Sequence, residues 1–118
     1  MNLEELHQYF LSKKGCEECF PFDEETLVFK VMGKMFGLIP LERIPPQCNL
    51  KCDPEYAEEL RASYRGILPG YHMSKKHWNS VLIEDDVEDR LIISLVDHSY
   101  DLVVASLTKK LKEELKNL

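Results

Sequence analysis

From Thr26 to Leu41 the chain reads TLVFKVMGKMFGLIPL, and this run limits the possible folds more than any other. β-Branched and aromatic residues stand on both sides of Met32-Gly33-Lys34. The run therefore reads as a hairpin, with strands near Leu27–Met32 and Met35–Pro40 and with Lys34 at the tip. After the punctuation of Ile44-Pro45-Pro46, QCNLKC is a third short strand that sets Cys48 and Leu50 on one face and Asn49 and Lys51 on the other. Trp78 to Ile83 reads as a further strand.

Helical patterns frame these strands. Asn2 and Glu5 have capping-box spacing, and Leu3, Leu6 and Phe10 share a face. A helix from about Leu3 to Ser12 follows, ended by Lys13-Lys14-Gly15, where the lysines suit the negative end of the dipole and the glycine offers a left-handed cap. Asp53-Pro54-Glu55 opens a second helix with N-cap, first-turn proline and first-turn acid, Ala57, Leu60 and Tyr64 on its inner face, and a stop at Arg65-Gly66. Residues 67–71 read as an extended or turning link. Glu84, Asp85, Asp86, Glu88 and Asp89 form a carboxylate cluster, which is read as the acidic start of a helix in preference to a metal site. In that helix Leu91, Leu95 and Leu102 adjoin a stripe of Ile92, Val96, Val103 and Leu107. Ser106 or Thr108 caps a final amphipathic stretch with Leu111, Leu115 and Leu118 at helical spacing. The whole is α+β, one domain over residues 1–118: an antiparallel sheet with N-terminal, middle and long C-terminal helices packed against it.

No apolar run approaches the ~20 residues that cross a bilayer, and MNLEELHQYF carries acids where a secretory signal starts basic, so a cytoplasmic protein is expected. The net charge of -6 disfavours a generic polyanion binder, but residues 26–83 carry eight Lys and Arg against five acids. Cys16-x2-Cys19 and Cys48-x3-Cys52 are compatible with a four-thiolate zinc site or, for the first pair, with redox chemistry. The adopted reading is four structural thiols with no metal and no cofactor, because the pairs lack the Gly-rich knuckles of a zinc ribbon and free cysteine is commonly buried as a small apolar residue.

The segment YHMSKKHWNSV (71–81) concentrates the remaining chemistry. As a hydrolytic site it lacks a marked nucleophile and an oxyanion loop, so no enzymatic activity is expected. As a nucleic-acid contact, Lys75 and Lys76 supply charge for phosphate, His77 a donor and Trp78, if exposed, a stacking surface; Lys34, Lys51, Arg61 and Arg65 extend the patch if they share a face. As a folding device, Ser74 caps a short turn, His72 and His77 hydrogen-bond it, and Trp78 anchors a strand beneath the C-terminal helix. Tyr100, mid-helix, is expected to reach His72 or Asn79, while His7 and His98 read as ordinary histidines.

Four stretches, KMFGLIPL (34–41), NLKCDPEYAEELR (49–61), GYHMSKKHWNSV (70–81) and DHSYDLVVASLTKK (97–110), resemble in order and spacing the MmcQ/YjbR family of small bacterial proteins. The most specific parts are His72, Lys75, His77, Trp78 and Asn79, and the run Ser99 to Val103. The resemblance implies a curved antiparallel sheet with flanking helices, similar to frataxin-like and secretion-chaperone-like domains. It also implies DNA binding through a double wing of two hairpins, with no catalytic chemistry. The resulting expectation is a DNA-binding protein that meets the phosphate backbone through Lys34, Lys51, Arg65, Lys75, Lys76 and His77. His72, Trp78, Asn79, Ser99 and Tyr100 then form a structural motif. The competing expectation is a non-enzymatic protein-interaction or chaperone-like module that uses the sheet face or the Leu111/Leu115/Leu118 stripe to hold a protein partner.

Overall fold

The computed structural model describes residues 1–70 and 73–118. Its elements run α1 (Leu3–Leu11), β1 (Cys16–Cys19), β2 (Thr26–Val31), β3 (Lys34–Pro40), β4 (Gln47–Lys51), α2 (Pro54–Ser63), β5 (Ile67–Pro69), β6 (Trp78–Leu82), α3 (Asp89–Ala105) and α4 (Lys109–Lys116). The strands form one sheet in the order β1-β2-β3-β4-β6-β5, antiparallel throughout. The expected hairpin is β2–β3, turned by Met32 (φ 49°) and Gly33 (φ 83°), both left-handed as a tight two-residue hairpin turn requires. Lys34 is the first residue past this turn.

Register along the hairpin shifts between Phe29 and Lys30: Phe29 faces Gly37 and Lys30 faces Met35, which leaves Phe36 as an extra residue. Phe36 and Gly37 therefore both turn toward Phe10 of α1. The Phe10 ring stacks on Phe29 at 4.2 Å, and a Cβ on Gly37 would lie 2.2 Å from its edge, so only glycine admits the ring here. This face, with Leu6, Phe29, Phe36, Ile39, Cys48, Leu50, Val81, Ile92, Val96 and Val103, is the main core between sheet and helices.

The opposite face carries a smaller cluster of Val28, Leu38 and Trp78, with Cys19, Met35 and Met73 against it. Trp78 is thus not beneath the C-terminal helix as expected. Alternation along β6 commits Val81 and Asn79, opposite Cys48 and Leu50, to the helix side and sends Trp78, opposite Lys51, to the other.

Local chemistry sets the helix ends. Asn2 and Glu5 form the capping box, and the Asp53 side chain caps α2. The C-terminal segment is two helices, because Thr108 Oγ1 accepts the Leu111 N–H at 3.2 Å and restarts the chain as α4. α4 returns to the core, where Leu115 is buried and Leu111 is partly so. The Leu111/Leu115/Leu118 stripe is therefore spent inside the fold and leaves only Leu118 exposed.

Of the acids after β6, Glu88 and Asp89 do stand at a helix start, as N-cap and first residue of α3, but Glu84, Asp85 and Asp86 lie before it. Asp86 instead accepts the backbone N–H groups of Arg65 and Gly66, both at 2.8 Å, and Asp85 pairs with the Arg65 guanidinium. β1, one edge, was not expected as a strand, while β5, the other, takes up part of the segment read as an extended or turning link. Among the described residues no helix is long and apolar enough to cross a membrane.

Candidate nucleic-acid interface

Sheet register brings Lys34, Lys51, Lys75, Lys76 and His77 to one end of the molecule. Lys34 opens β3 beside the hairpin turn, Lys51 closes β4, and Lys51 pairs in register with Trp78, the residue that follows the lysine turn. The Ser74 carbonyl accepts the N–H groups of His77 (3.2 Å) and Trp78 (2.9 Å), so Ser74 closes this turn through its backbone. The His77 carbonyl accepts from Cys52 N at 2.8 Å and fastens the turn to the end of β4. Lys75, Lys76 and His77 stay exposed. Among the described residues Lys34, Lys51, Lys75 and Lys76 make no ion pair; Lys34 Nζ donates to the Ser106 carbonyl at 3.5 Å. Glu55 and Glu58 of α2 stand across a shallow recess from Lys75 and Lys76.

Arg65 does not join this group. It precedes β5 at the opposite end of the sheet and is bound to Asp85 at 2.6 Å. That end is acidic: the loops at 20–25, 41–46 and 83–88 carry Asp23, Glu24, Glu25, Glu42, Glu84, Asp85, Asp86 and Glu88. Arg61 does not extend the basic surface either. It donates to Asn79 Oδ1 (2.7 Å) and to the Lys75 carbonyl (3.3 Å), while Asn79 Nδ2 donates to Ala57 O (3.4 Å). Arg61 and Asn79 together thus tie α2, β6 and the lysine turn to one another. Trp78, 8% exposed, is packed against Val28 and Leu38 and cannot stack on a base. His72, and every reading that used it, lies outside the described residues.

The 97–101 run anchors α3. Asp97 accepts from Tyr9 (2.5 Å) and Lys13 (2.9 Å) of the α1 region. Burial opposes its charge, but these hydrogen bonds prevail and hold its carboxyl below the usual range, while burial and the Asp97 bond push the Tyr9 phenol up to about 12. His98 Nε2 accepts from Asp53 N at 3.2 Å and meets the Tyr56 ring edge-on, and His7 contacts Glu18, so neither histidine is idle. The Tyr100 hydroxyl donates to the Lys14 carbonyl at 2.6 Å, not to Asn79, because its side of α3 faces the end of α1.

The cysteines are dispersed. Cys16 faces the helices opposite Val31, while Cys19 faces the other way opposite Val28, so the pair cannot act as a dithiol. Burial pushes the Cys16 and Cys52 thiols up to about 11 and Cys48 up to about 12. Among the described residues no three His, Cys, Asp or Glu side chains gather in a way that could hold a metal.

One feature of the helix-free face has no counterpart in the sequence reading. A pocket of about 570 Å³ opens there, lined by Phe22, Asp23, Glu25 and Thr26, by Leu38, Pro40, Glu42 and Arg43, by Gln47 and Asn49, and by Met73. Gln47 and Asn49 are 4% and 6% exposed on the central strand β4. The only sequence signal is the alternation that sets Asn49 opposite Cys48 and Leu50.

Known proteins resemble this chain along most of its length. The family model described as YjbR matches residues 11–102. The Bacillus subtilis (strain 168) protein named YyaQ is 44% identical over 114 residues, covering 84% of this chain and 95% of its own. The Escherichia coli (strain K12) protein named YjbR is 32% identical over 118 residues, the full length of both. A crystal structure of a Deinococcus radiodurans protein matches with a TM-score of 0.90 at 39% identity, covering 98% of this chain and 88% of that one.

Proposed function

The chain belongs to the YjbR family, and from that premise we propose that it binds DNA, meeting the phosphate backbone with the basic end of its sheet. The observation that carries this reading is the placement of Lys34, Lys51, Lys75 and Lys76 at that end, Lys34 on the helix side of the sheet and Lys51 on the other, with no carboxylate partner among the described residues. Ammonium groups in this state release counterions from a duplex without first giving up a salt bridge. The β2–β3 hairpin and the turn entering β6 serve as the two wings, and His77 adds a donor. Arg65 drops out of the contact set. Because Trp78 is buried, recognition is of backbone and shape, so sequence preference is weak. The net charge of -6 does not oppose this geometry, since much of the acidic excess lies at the far end of the strands. In this reading the protein is non-enzymatic, needs no cofactor and works in the cytoplasm.

A non-enzymatic protein-interaction module is the second reading, favoured by apolar side chains exposed at the acidic end: Phe20, Phe22 (64%), Leu41 and Ile44 (90%). Fluorescence anisotropy of a labelled random duplex at low and physiological salt separates the two. DNA binding weakens with salt, is much weaker in Lys75→Glu/Lys76→Glu and is unchanged in Arg65→Ala. Absence of binding even at low salt rejects the DNA reading in favour of the protein-partner one.

A further inference from the structure

The pocket on the helix-free face takes no part in DNA binding, yet its floor is polar where a sheet interior ordinarily is not. Gln47 is nine-tenths buried, and its carboxamide makes no hydrogen bond with any described residue. No polar side-chain atom among the described residues is both fully buried and unpartnered, so this amide opens onto the pocket. Asn49, two residues along the same face, spends its Oδ1 on the Ser80 hydroxyl at 2.5 Å, while its Nδ2 has no partner among the described residues. The floor thus offers an acceptor and a donor from Gln47 and a second donor from Asn49, about 7 Å along the strand. Leaving such groups buried and unmatched costs stability that leucine or threonine at the same positions would not cost.

The surroundings narrow what can satisfy them. Leu38, Pro40 and Met73 make apolar walls, and the exposed Phe22 ring stands at the rim. The mouth carries Asp23, Glu25 and Glu42 beside Arg43. Asp23 is held below the usual carboxylate range by the N–H groups of Glu25 and Thr26, so it stays charged. An anionic ligand is disfavoured. The volume, about 570 Å³, falls within the range of roughly 300–1,000 Å³ that small-molecule sites occupy.

We propose that this pocket binds a small uncharged planar molecule of the nucleobase or nucleoside class, with the Gln47 carboxamide and Asn49 Nδ2 reading an edge that carries an adjacent donor and acceptor. A carboxamide matches such an edge in a bidentate way, as glutamine and asparagine do with adenine. Phe22 covers the ring face, and the carboxylates at the mouth reject phosphorylated forms.

The test is a titration of isotope-labelled protein with adenosine and with adenosine monophosphate, followed by backbone amide shifts. Adenosine is expected to give saturable shifts at Thr26, Leu38, Gln47 and Asn49, and the monophosphate to bind about tenfold or more weakly. Gln47→Met, which keeps the volume, is expected to weaken adenosine about tenfold or more. Phe22→Ala, at an exposed position that the fold does not need, is expected to weaken it several-fold. Lys75→Glu/Lys76→Glu is expected to bind adenosine normally, which separates this site from the DNA reading. The proposal is overturned if adenosine gives no saturable shift, if the monophosphate binds equally well, or if Phe22→Ala and Gln47→Met both bind as the wild type does.

Discussion

Replacing Ser99 by alanine removes a hydroxyl that stands in for part of the sheet. Ser99, 0% exposed on α3, donates to the Phe36 carbonyl at 2.5 Å and accepts from Lys51 N at 3.0 Å. These two backbone groups would face each other directly if the β3–β4 ladder continued past Gly37↔Leu50, but the Phe36 bulge opens it there. The helix side chain closes the gap. Ser99→Ala leaves a buried donor and a buried acceptor unmatched, each at about 1–3 kcal/mol, so the expected loss is about 2–4 kcal/mol in urea unfolding. A loss below about 0.5 kcal/mol would mean that the strands close up or water takes the place of the hydroxyl. A mid-helix serine carries no sign of this duty in the sequence, because the duty depends on a bulge in a strand more than sixty residues earlier. The Tyr100 partner was misplaced for a similar reason, since heptad phase shows which side of α3 is buried but not which neighbour lies there.

Among the elements, α1 and α3 are held together by Asp97, bonded to Tyr9 and Lys13. Its pKa is lowered in the fold, so the carboxylate contributes stability that is fully present above its unfolded value, about 3.9, and is lost as pH falls through the folded value. Thermal melting between pH 7 and pH 3 should therefore show Asp97→Asn less stable than wild type at neutral pH and less sensitive to acid. Parallel curves would remove Asp97 from the acid response. Elements governed by their own residues were legible: the hairpin from its β-rich flanks, α2 from Asp53-Pro54, and α1 from Asn2 and Glu5. Elements that exist only through a neighbour were not. CEEC becomes β1 because β2 offers its edge, and Ile67–Pro69 becomes β5 because β6 does; both are too short and too polar or proline-bound to declare themselves as strands. The break between α3 and α4 was half legible, since Thr108 was among the expected caps.

At the scale of the molecule, charge is sorted along the strand direction, and this polarity is what makes a chain of -6 compatible with the proposed backbone-binding end. The lysines were legible one by one. Their convergence was not, because it depends on antiparallel register returning residues 34, 51 and 75–77 to the same end; the pocket is harder still, as its walls come from four separate stretches of chain. The ends are a strand length apart, about 20 Å, in a molecule of 39 × 31 × 25 Å. The Debye length is about 8 Å at physiological salt and about 30 Å at 0.01 M, so the acidic end reaches a duplex at the basic end only when salt is low. Glu24→Gln/Glu25→Gln should accordingly strengthen duplex binding at 0.01 M salt and leave it unchanged at physiological salt. In the proposed mode, lysine contacts at about four phosphates would set a slope of log affinity against log salt near -3.5, and Lys75→Glu/Lys76→Glu should bring it to about -2 or shallower. Equal strengthening by Glu24→Gln/Glu25→Gln at both salt concentrations would put the duplex against the acidic loops and invert the proposed orientation.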